Sequence, residues 1–498
     1  MGQIRKQVIQ SSFISYIGFI IGAINTWFFV KQGLFTPEQY GLTQVMISIS
    51  QVLTPLASLG MTVFIYRFFP YYTGRLASRD NDMLSITVVF TCIGALVVFC
   101  LCLFFEPLII RQFAVKSKLL VEYYYWTLLY SFFFLCFTTL EAYLWSLKRT
   151  VLSSFMKETA YRILVLVLIG LYAFGVIDFR SFVILFSCTY FLIVLVLVAY
   201  LAATHQLYFA RKISPVTKKF RKSIFRYVGS VYAGSAITSM ARQIDTLSLA
   251  GARDLSDTGI YSLNQFIAAI LQVPYRGLQA IAVPMISEHW KNKNYPEINR
   301  IYQRSSINLL LIGSFLFANI WLNYTDAFAF FNVEPKFLSG KTVFLLLGLY
   351  NVFELATGTN TAIIATSPAW RFEFYSGLIL MSISIPLNIL LANLYGMNGV
   401  AFATMSTLVI YNIIRLIFIR HRFKMWPFSM KSLYALLLVI AALVIAYYPT
   451  NNLHGLVGML LRSVLFSGCF FAGVFYFKLT PDLPQFIEVV KNRLRKKR

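Results

Sequence analysis

Apolar residues fill fourteen runs of about twenty positions, spaced almost evenly from Val8 to Phe477 and separated by short polar connections. A helix of that length crosses the ~30 Å hydrocarbon core of a bilayer. Only helices satisfy their own backbone groups in lipid, so the pattern predicts an all-α polytopic membrane protein. The spans are expected at about 9–30, 41–64, 83–105, 121–147, 155–176, 181–204, 229–250, 258–284, 305–323, 341–365, 371–393, 398–420, 430–448 and 457–478. The first run follows Arg5 and Lys6, exceeds a signal-peptide core and ends in Trp27-Phe28-Phe29 without a small-residue cleavage pattern. It reads as an uncleaved span.

Composition sharpens this picture. The chain is 58% hydrophobic and 13% charged, outside the range of water-soluble globules. Its mean hydropathy is +0.69. Spans and short loops consume the 498 residues, and no Gly-rich lysine loop of the Walker type occurs, which argues against an ATP-driven pump. No cofactor is expected. Cys92, Cys100, Cys102, Cys136, Cys188 and Cys469 lie inside apolar runs without metal spacing, as small hydrophobes do.

The net charge of +25 is distributed by side of the membrane. Even-numbered connections and the tails carry Arg67/Arg75/Arg79, Lys148/Arg149/Lys157 and Lys291/Lys293/Arg300/Arg304. The connection after the sixth run adds Arg211, Lys212, Lys218, Lys219, Arg221, Lys222 and Arg226, and the C-terminal end Lys491, Arg493, Arg495, Lys496, Lys497 and Arg498. Roughly 31 basic residues fall on one side and roughly 8 on the other, a positive-inside asymmetry that predicts cytoplasmic termini. These segments set orientation and meet anionic headgroups of membrane lipids; no nucleic-acid partner is expected.

A short repeat suggests two halves. Tyr40-x-Leu42-x-Gln44 followed by Gln51-Val52 recurs as Tyr261-x-Leu263-x-Gln265 followed by Gln272-Val273, at an offset of 221 residues. The offset lays the second run over the eighth, an even displacement, so the copies share orientation about an axis along the membrane normal. The expected organisation is a six-helix lobe over 1–204, a basic cytoplasmic linker over 205–228, a second six-helix lobe over 229–420 related to the first by a pseudo-two-fold, and two more spans with a basic tail over 421–498.

Helical spacing groups the polar residues into stripes. Run 2 aligns Gln44, Ser48 and Gln51; run 8 aligns Gln265, Gln272 and Arg276; run 7 aligns Ser235, Thr238, Arg242 and Asp245. Run 1 offers Ser15, Gly18, Gly22 and Asn25, and run 10 offers Asn351, Glu354, Gly358 and Thr361. Polar faces in membrane helices turn to partner helices or to water-filled cavities. Repeat-related stripes favour a shared aqueous cavity between the lobes.

Five basic residues remain inside spans: Arg162, Arg242, Arg276, Arg415 and Arg462. Each costs roughly 2.5–3.5 kcal/mol at mid-membrane on an insertion scale. Arg415 and Arg462 lie near span ends, from which a guanidinium reaches the interface. Arg162 has Glu158 one turn earlier, and Arg242 has Asp245 at i+3. Arg276 has no acid within a turn, so its counter-ion is expected to arrive with a ligand, and a phosphate or pyrophosphate suits the guanidinium fork. Among the acids, Asp245 and Glu354 lie deep; each either serves a neighbouring side chain or takes part in ion coupling.

The Phe35-Thr36-Pro37-Glu38-Gln39-Tyr40-Gly41-Leu42 segment, Arg67-Phe68-Phe69-Pro70-Tyr71-Tyr72, and Arg242-Gln243-Ile244-Asp245 followed by Gly259-Ile260-Tyr261-Ser262 resemble bacterial polysaccharide or O-antigen flippases of the multidrug/oligosaccharidyl-lipid/polysaccharide exporter superfamily. The resemblance covers essentially the whole chain and its motifs are diffuse. It implies a transporter rather than an enzyme, in the bacterial inner membrane, that moves polyprenyl-pyrophosphate-linked oligosaccharide between leaflets by alternating access, driven by H+ or Na+. Runs 1, 2, 7 and 8 would surround the cavity, with Arg276, Arg242, Gln272, Gln265, Gln44, Gln51 and Asn25 binding substrate and Asp245 and Glu354 coupling to the ion. Other polysaccharide-assembly membrane proteins are expected partners. Run 1 lacks a cavity arginine, which leaves the geometry of phosphate capture open.

Two alternatives within the superfamily are a multidrug and toxin cation antiporter and a flippase for the peptidoglycan precursor lipid. A membrane glycosyltransferase or polymerase fits less well. Every extramembrane segment is short, and His205, His289, His421 and His454 are scattered without a catalytic constellation.

Overall fold

The computed structural model describes residues 2–480 apart from 75, 77–79, 115, 211 and 370. The roles expected of Arg75, Arg79, Arg211 and the basic residues from Lys491 onward lie outside the described residues, as do the side chains of Arg5, Lys6, Ser15, Ser235 and Thr238. Among the described residues the chain is all helix, without a strand.

Every predicted run is occupied by helix, and the breaks within runs have local causes. Run 2 starts at a capping box: the Thr36 hydroxyl accepts from the Gln39 amide at 3.2 Å, and the Gln39 side chain accepts from the Thr36 amide at 3.0 Å. Pro37 occupies the first turn, where its missing N–H costs nothing. The helix Pro37–Ser58 ends at Leu59 and Gly60, both left-handed, and resumes as Met61–Thr73 at a 50° bend. Run 5 passes through a π-helical turn, Phe155–Ala160, between Thr150–Ser154 and Tyr161–Ala173. Run 8 tightens into a 3-10 turn at Ile270–Gln272, just before Pro274, which has no N–H to continue the ladder. Runs 11 and 12 form Arg371–Phe423, interrupted at Gly396, whose φ of 60° and ψ of −140° favour glycine.

Among the described residues, eight helices are long and apolar enough to cross a membrane unaided, and two bent pairs pass the same test when each is taken as one span. The expected count of fourteen exceeds both figures. Breaks shorten several helices, run 7 is too polar, and runs 11 and 12 register as one element. The basic segment expected as a linker is helical from Pro215, capped by the Ser214 hydroxyl on the Thr217 amide at 3.2 Å, and continues into run 7 as Pro215–Ala252. Asp82 fixes this start by accepting from the Ser214 amide at 2.9 Å and the Thr217 hydroxyl at 2.8 Å.

The helices cluster into two compact units, Met1–Gly259 and Ile260–Arg498. In the first, Tyr130, Phe182 and Phe186 are fully buried. Tyr161 stacks on Tyr190 at 4.8 Å and bonds the Tyr130 hydroxyl at 3.0 Å. Glycines allow the closest approaches: a Cβ on Gly41 would lie 1.9 Å from the Leu255 carbonyl oxygen, and one on Gly259 2.2 Å from that of Pro37. In the second unit, Ile286, Tyr302, Ile363, Ile364 and Ile419 form a buried core, and the run 13 and run 14 helices Met430–Tyr447 and Gly455–Tyr476 pack on the run 9 helix Tyr295–Phe330. The repeat shares a burial pattern: Tyr40 and Leu42 are buried, and so are Tyr261 and Leu263.

Candidate functional site

In the first unit, the polar stripe of run 2 meets run 7. Gln243 donates its side-chain amide to the Gln51 carbonyl oxygen at 2.7 Å, joining the two helices. Gln44 is half-buried on the same stripe, and Ser48 is buried. Asp245 and Arg242 differ in environment despite their i, i+3 spacing. Asp245 is 7% exposed, whereas Arg242 is exposed and belongs to no ion pair among the described residues.

The small-residue stripe of run 1 packs against run 5. A Cβ on Gly18 would fall 2.2 Å from the Glu158 carbonyl oxygen, and one on Gly22 2.9 Å from Arg162 Nε. Asn25 is buried and donates its amide to the Arg162 carbonyl at 2.8 Å, while its own carboxamide oxygen has no hydrogen-bond partner among the described residues. Arg162 pairs with Glu158 at 3.0 Å, as the spacing predicts. Beside it, Lys157 reaches both oxygens of buried Glu141 at 3.1 and 3.2 Å, a pair that a search along one helix could not find.

In the second unit, the 3-10 turn of run 8 presents Gln272 to run 10. The Gln272 amide donates to Asn351 Oδ1 at 2.8 Å and to Glu354 Oε2 at 2.7 Å, and Asn351 donates back to the Ala268 carbonyl at 3.1 Å. A second rung joins Tyr275 to Thr361 at 3.4 Å, Thr361 to Asn360 at 3.2 Å, and Asn360 to Asn412 of run 12 at 3.2 Å. Gln265 and Arg276 are exposed, and no ion pair among the described residues includes Arg276.

Arg415 and Arg462 do not reach for the interface as their positions near span ends suggested. Arg415 is buried, pairs with Glu373 at 2.5 Å and lies over the Tyr411 ring at 4.8 Å. Arg462 is buried against Asp326 at 2.6 Å and also donates to the carbonyls of Leu322, at 3.1 Å, and Leu453. Both partners lie far away in sequence, Asp326 largely buried and Glu373 half-buried, so each guanidinium is met by a carboxylate inside the protein rather than by a stretched route to water. Three of the five intramembrane arginines are thus compensated within the protein. Arg242 and Arg276 stand apart.

Solved structures with a similar architecture include membrane transporters. A lipid II flippase MurJ, in an inward closed conformation, superposes with a TM-score of 0.73 at 15% identity, covering 95% of this chain and 99% of that one. An inward-facing multidrug resistance MATE family transporter gives 0.61 at 13% identity, covering 84% and 98%. A MATE in complex with MaL6 gives 0.53 at 14% identity, covering 84% and 96%. At these identities the shared property is the fold, and together with the apolar helices it defines the class: a multi-pass membrane protein. The chain belongs to the polysaccharide biosynthesis protein family, which matches residues 4–290. No curated protein matches the sequence.

Proposed function

We propose that the protein is a flippase carrying polyprenyl-pyrophosphate-linked oligosaccharide across the bacterial inner membrane, for surface polysaccharide or O-antigen assembly, by alternating access. The observation that carries this reading is the contrast among intramembrane guanidiniums. Arg162, Arg415 and Arg462 each have a carboxylate, whereas Arg242 and Arg276 belong to no ion pair among the described residues. A cation left uncompensated in an apolar protein is matched when an anionic ligand arrives, and a pyrophosphate accepts the guanidinium fork in two places. Gln265 and Gln44 are the accessible amides for sugar and phosphate oxygens, whereas Gln272, Gln51 and Asn25 join them only by exchanging their bonds to Asn351 and Glu354, to Gln243 and to the Arg162 carbonyl. Glu354, held by Gln272, and buried Asp245 are the proposed sites of coupling to a proton or sodium gradient. Both termini lie in the cytoplasm, following the basic loops, and other polysaccharide-assembly membrane proteins receive the product.

Export of surface polysaccharide in a flippase-deficient host tests the reading. Arg276→Ala, reaching the membrane at wild-type level, is expected to abolish export, and Arg276→Lys to restore part of it. Full export by Arg276→Ala overturns the assignment. Asp245 and Glu354 give some support to a second reading, a cation antiporter for drugs. Resistance to cationic dyes without any change in surface glycan would establish that instead.

A further inference from the structure

Away from the polar stripes, the first unit carries a groove of about 370 Å³ lined by Ile14, Arg149, Val151, Leu152, Phe155 and Tyr200. Three helix ends meet there: the early part of run 1, the start of run 5 and the end of run 6. By the distribution of lysine and arginine, all three lie on the same, basic side of the membrane. The lining is apolar but for one charged group, the exposed Arg149 guanidinium, which belongs to no ion pair among the described residues.

The local backbone is built to hold that geometry. Lys148 takes a left-handed φ of 60°, turning the chain sharply after run 4, and the Arg149 amide closes the turn on the Leu144 carbonyl at 2.9 Å. Trp145 clasps the far side by donating its indole N–H to the Ser153 hydroxyl at 2.8 Å, while its ring stays 43% exposed. Exposed Trp beside Tyr and Arg marks the headgroup level of a bilayer. The groove therefore starts at that level and runs inward along Leu152 and Phe155.

We propose that this groove is a binding site for an anionic phospholipid of the cytoplasmic leaflet, with one acyl chain along Ile14, Leu152 and Phe155 and the phosphate on Arg149. The volume holds roughly a dozen groups the size of a water or a methylene. That is most of one ordinary acyl chain and a small fraction of a long polyprenyl chain, which sets the site apart from cargo binding. Arg149 is matched in charge by the phosphate and by nothing in the groove itself. The seat also abuts the π-helical turn Phe155–Ala160, so an occupied groove packs against the most irregular part of run 5.

The test is photolabelling in nanodiscs with phosphatidylglycerol or phosphatidylcholine carrying a diazirine near the acyl terminus, with labelled peptides mapped by mass spectrometry. Wild-type protein is expected to label at Val151–Phe155 and Tyr200, with phosphatidylglycerol preferred roughly fivefold, the worth of one guanidinium at an anionic surface. Arg149→Ala should erase the preference while keeping the label, and Arg149→Lys should retain much of it. Leu152→Trp, which fills the groove, should remove label for both lipids without changing elution on size exclusion. Equal labelling of the two lipids by the wild type overturns the proposal, as does label absent from these peptides. Displacement of the probe by an equimolar polyprenyl phosphate also overturns it, by assigning the groove to cargo.

Discussion

Arg462 and Asp326 offer the sharpest measurement of what a buried ion pair does in this fold. Their side chains are 7% and 12% exposed and meet at 2.6 Å. Arg462 also serves the Leu322 and Leu453 carbonyls, and Asp326 accepts from the Gly455 amide at 3.2 Å, so the pair ties run 14 and the loop before it to run 9. Arg462→Met leaves a carboxylate buried without its partner, and removing one member of such a pair costs about 3–5 kcal/mol. For a unit of this size that is a fall in melting temperature on the order of 10 °C. Asp326→Leu is expected to cost a similar amount by stranding the guanidinium. The double substitution Arg462→Met with Asp326→Leu buries no charge, so it should be more stable than either single variant. It should remain about 1–3 kcal/mol below wild type, because the Leu322 and Leu453 carbonyls and the Gly455 amide lose partners. Thermal unfolding of purified protein, followed by fluorescence size exclusion, closes the cycle; a coupling of at least about 3 kcal/mol is expected, because the double costs less than either single. Additive single shifts below about 2 °C each would refute the reasoning, since they would mean the two charges do not meet.

Gly41→Ala should destabilise by about 1–3 kcal/mol, because its methyl would overlap the Leu255 carbonyl, whereas Gly170→Ala, with open space around it, should be neutral or slightly stabilising in the same melt. Gln51→Leu alone strands the Gln243 amide and should cost about 1–3 kcal/mol, and adding Gln243→Leu should recover most of the loss. Glu354→Gln is expected to retain substrate binding but to remove the dependence of flipping on an ion gradient in liposomes. Gradient-stimulated flipping by that variant would take Glu354 out of the coupling.

The positions of the helices were legible because lipid removes every other way of satisfying the backbone. Twenty apolar residues announce a helix, whatever packs against it. Their interruptions were less legible. Pro274 and Gly396 signal breaks in the letters, but the π-helical turn at Phe155–Ala160 carries no such mark. The run 1 stripe shows the same ambiguity from another side: spacing identified Gly18, Gly22 and Asn25 as one face, and only packing showed that run 5 lies on it.

The sequence by itself determined the class, the helical content and the charge asymmetry, all of which follow from residue type and local spacing. It also singled out the five intramembrane arginines, because a charge in an apolar run is conspicuous without any structure. Only the tertiary structure decided which of them are compensated. Glu373 and Asp326 come from helices 42 and 136 residues away from the arginines they meet. Coulombic compensation falls with distance in space, and one-dimensional order does not record that distance.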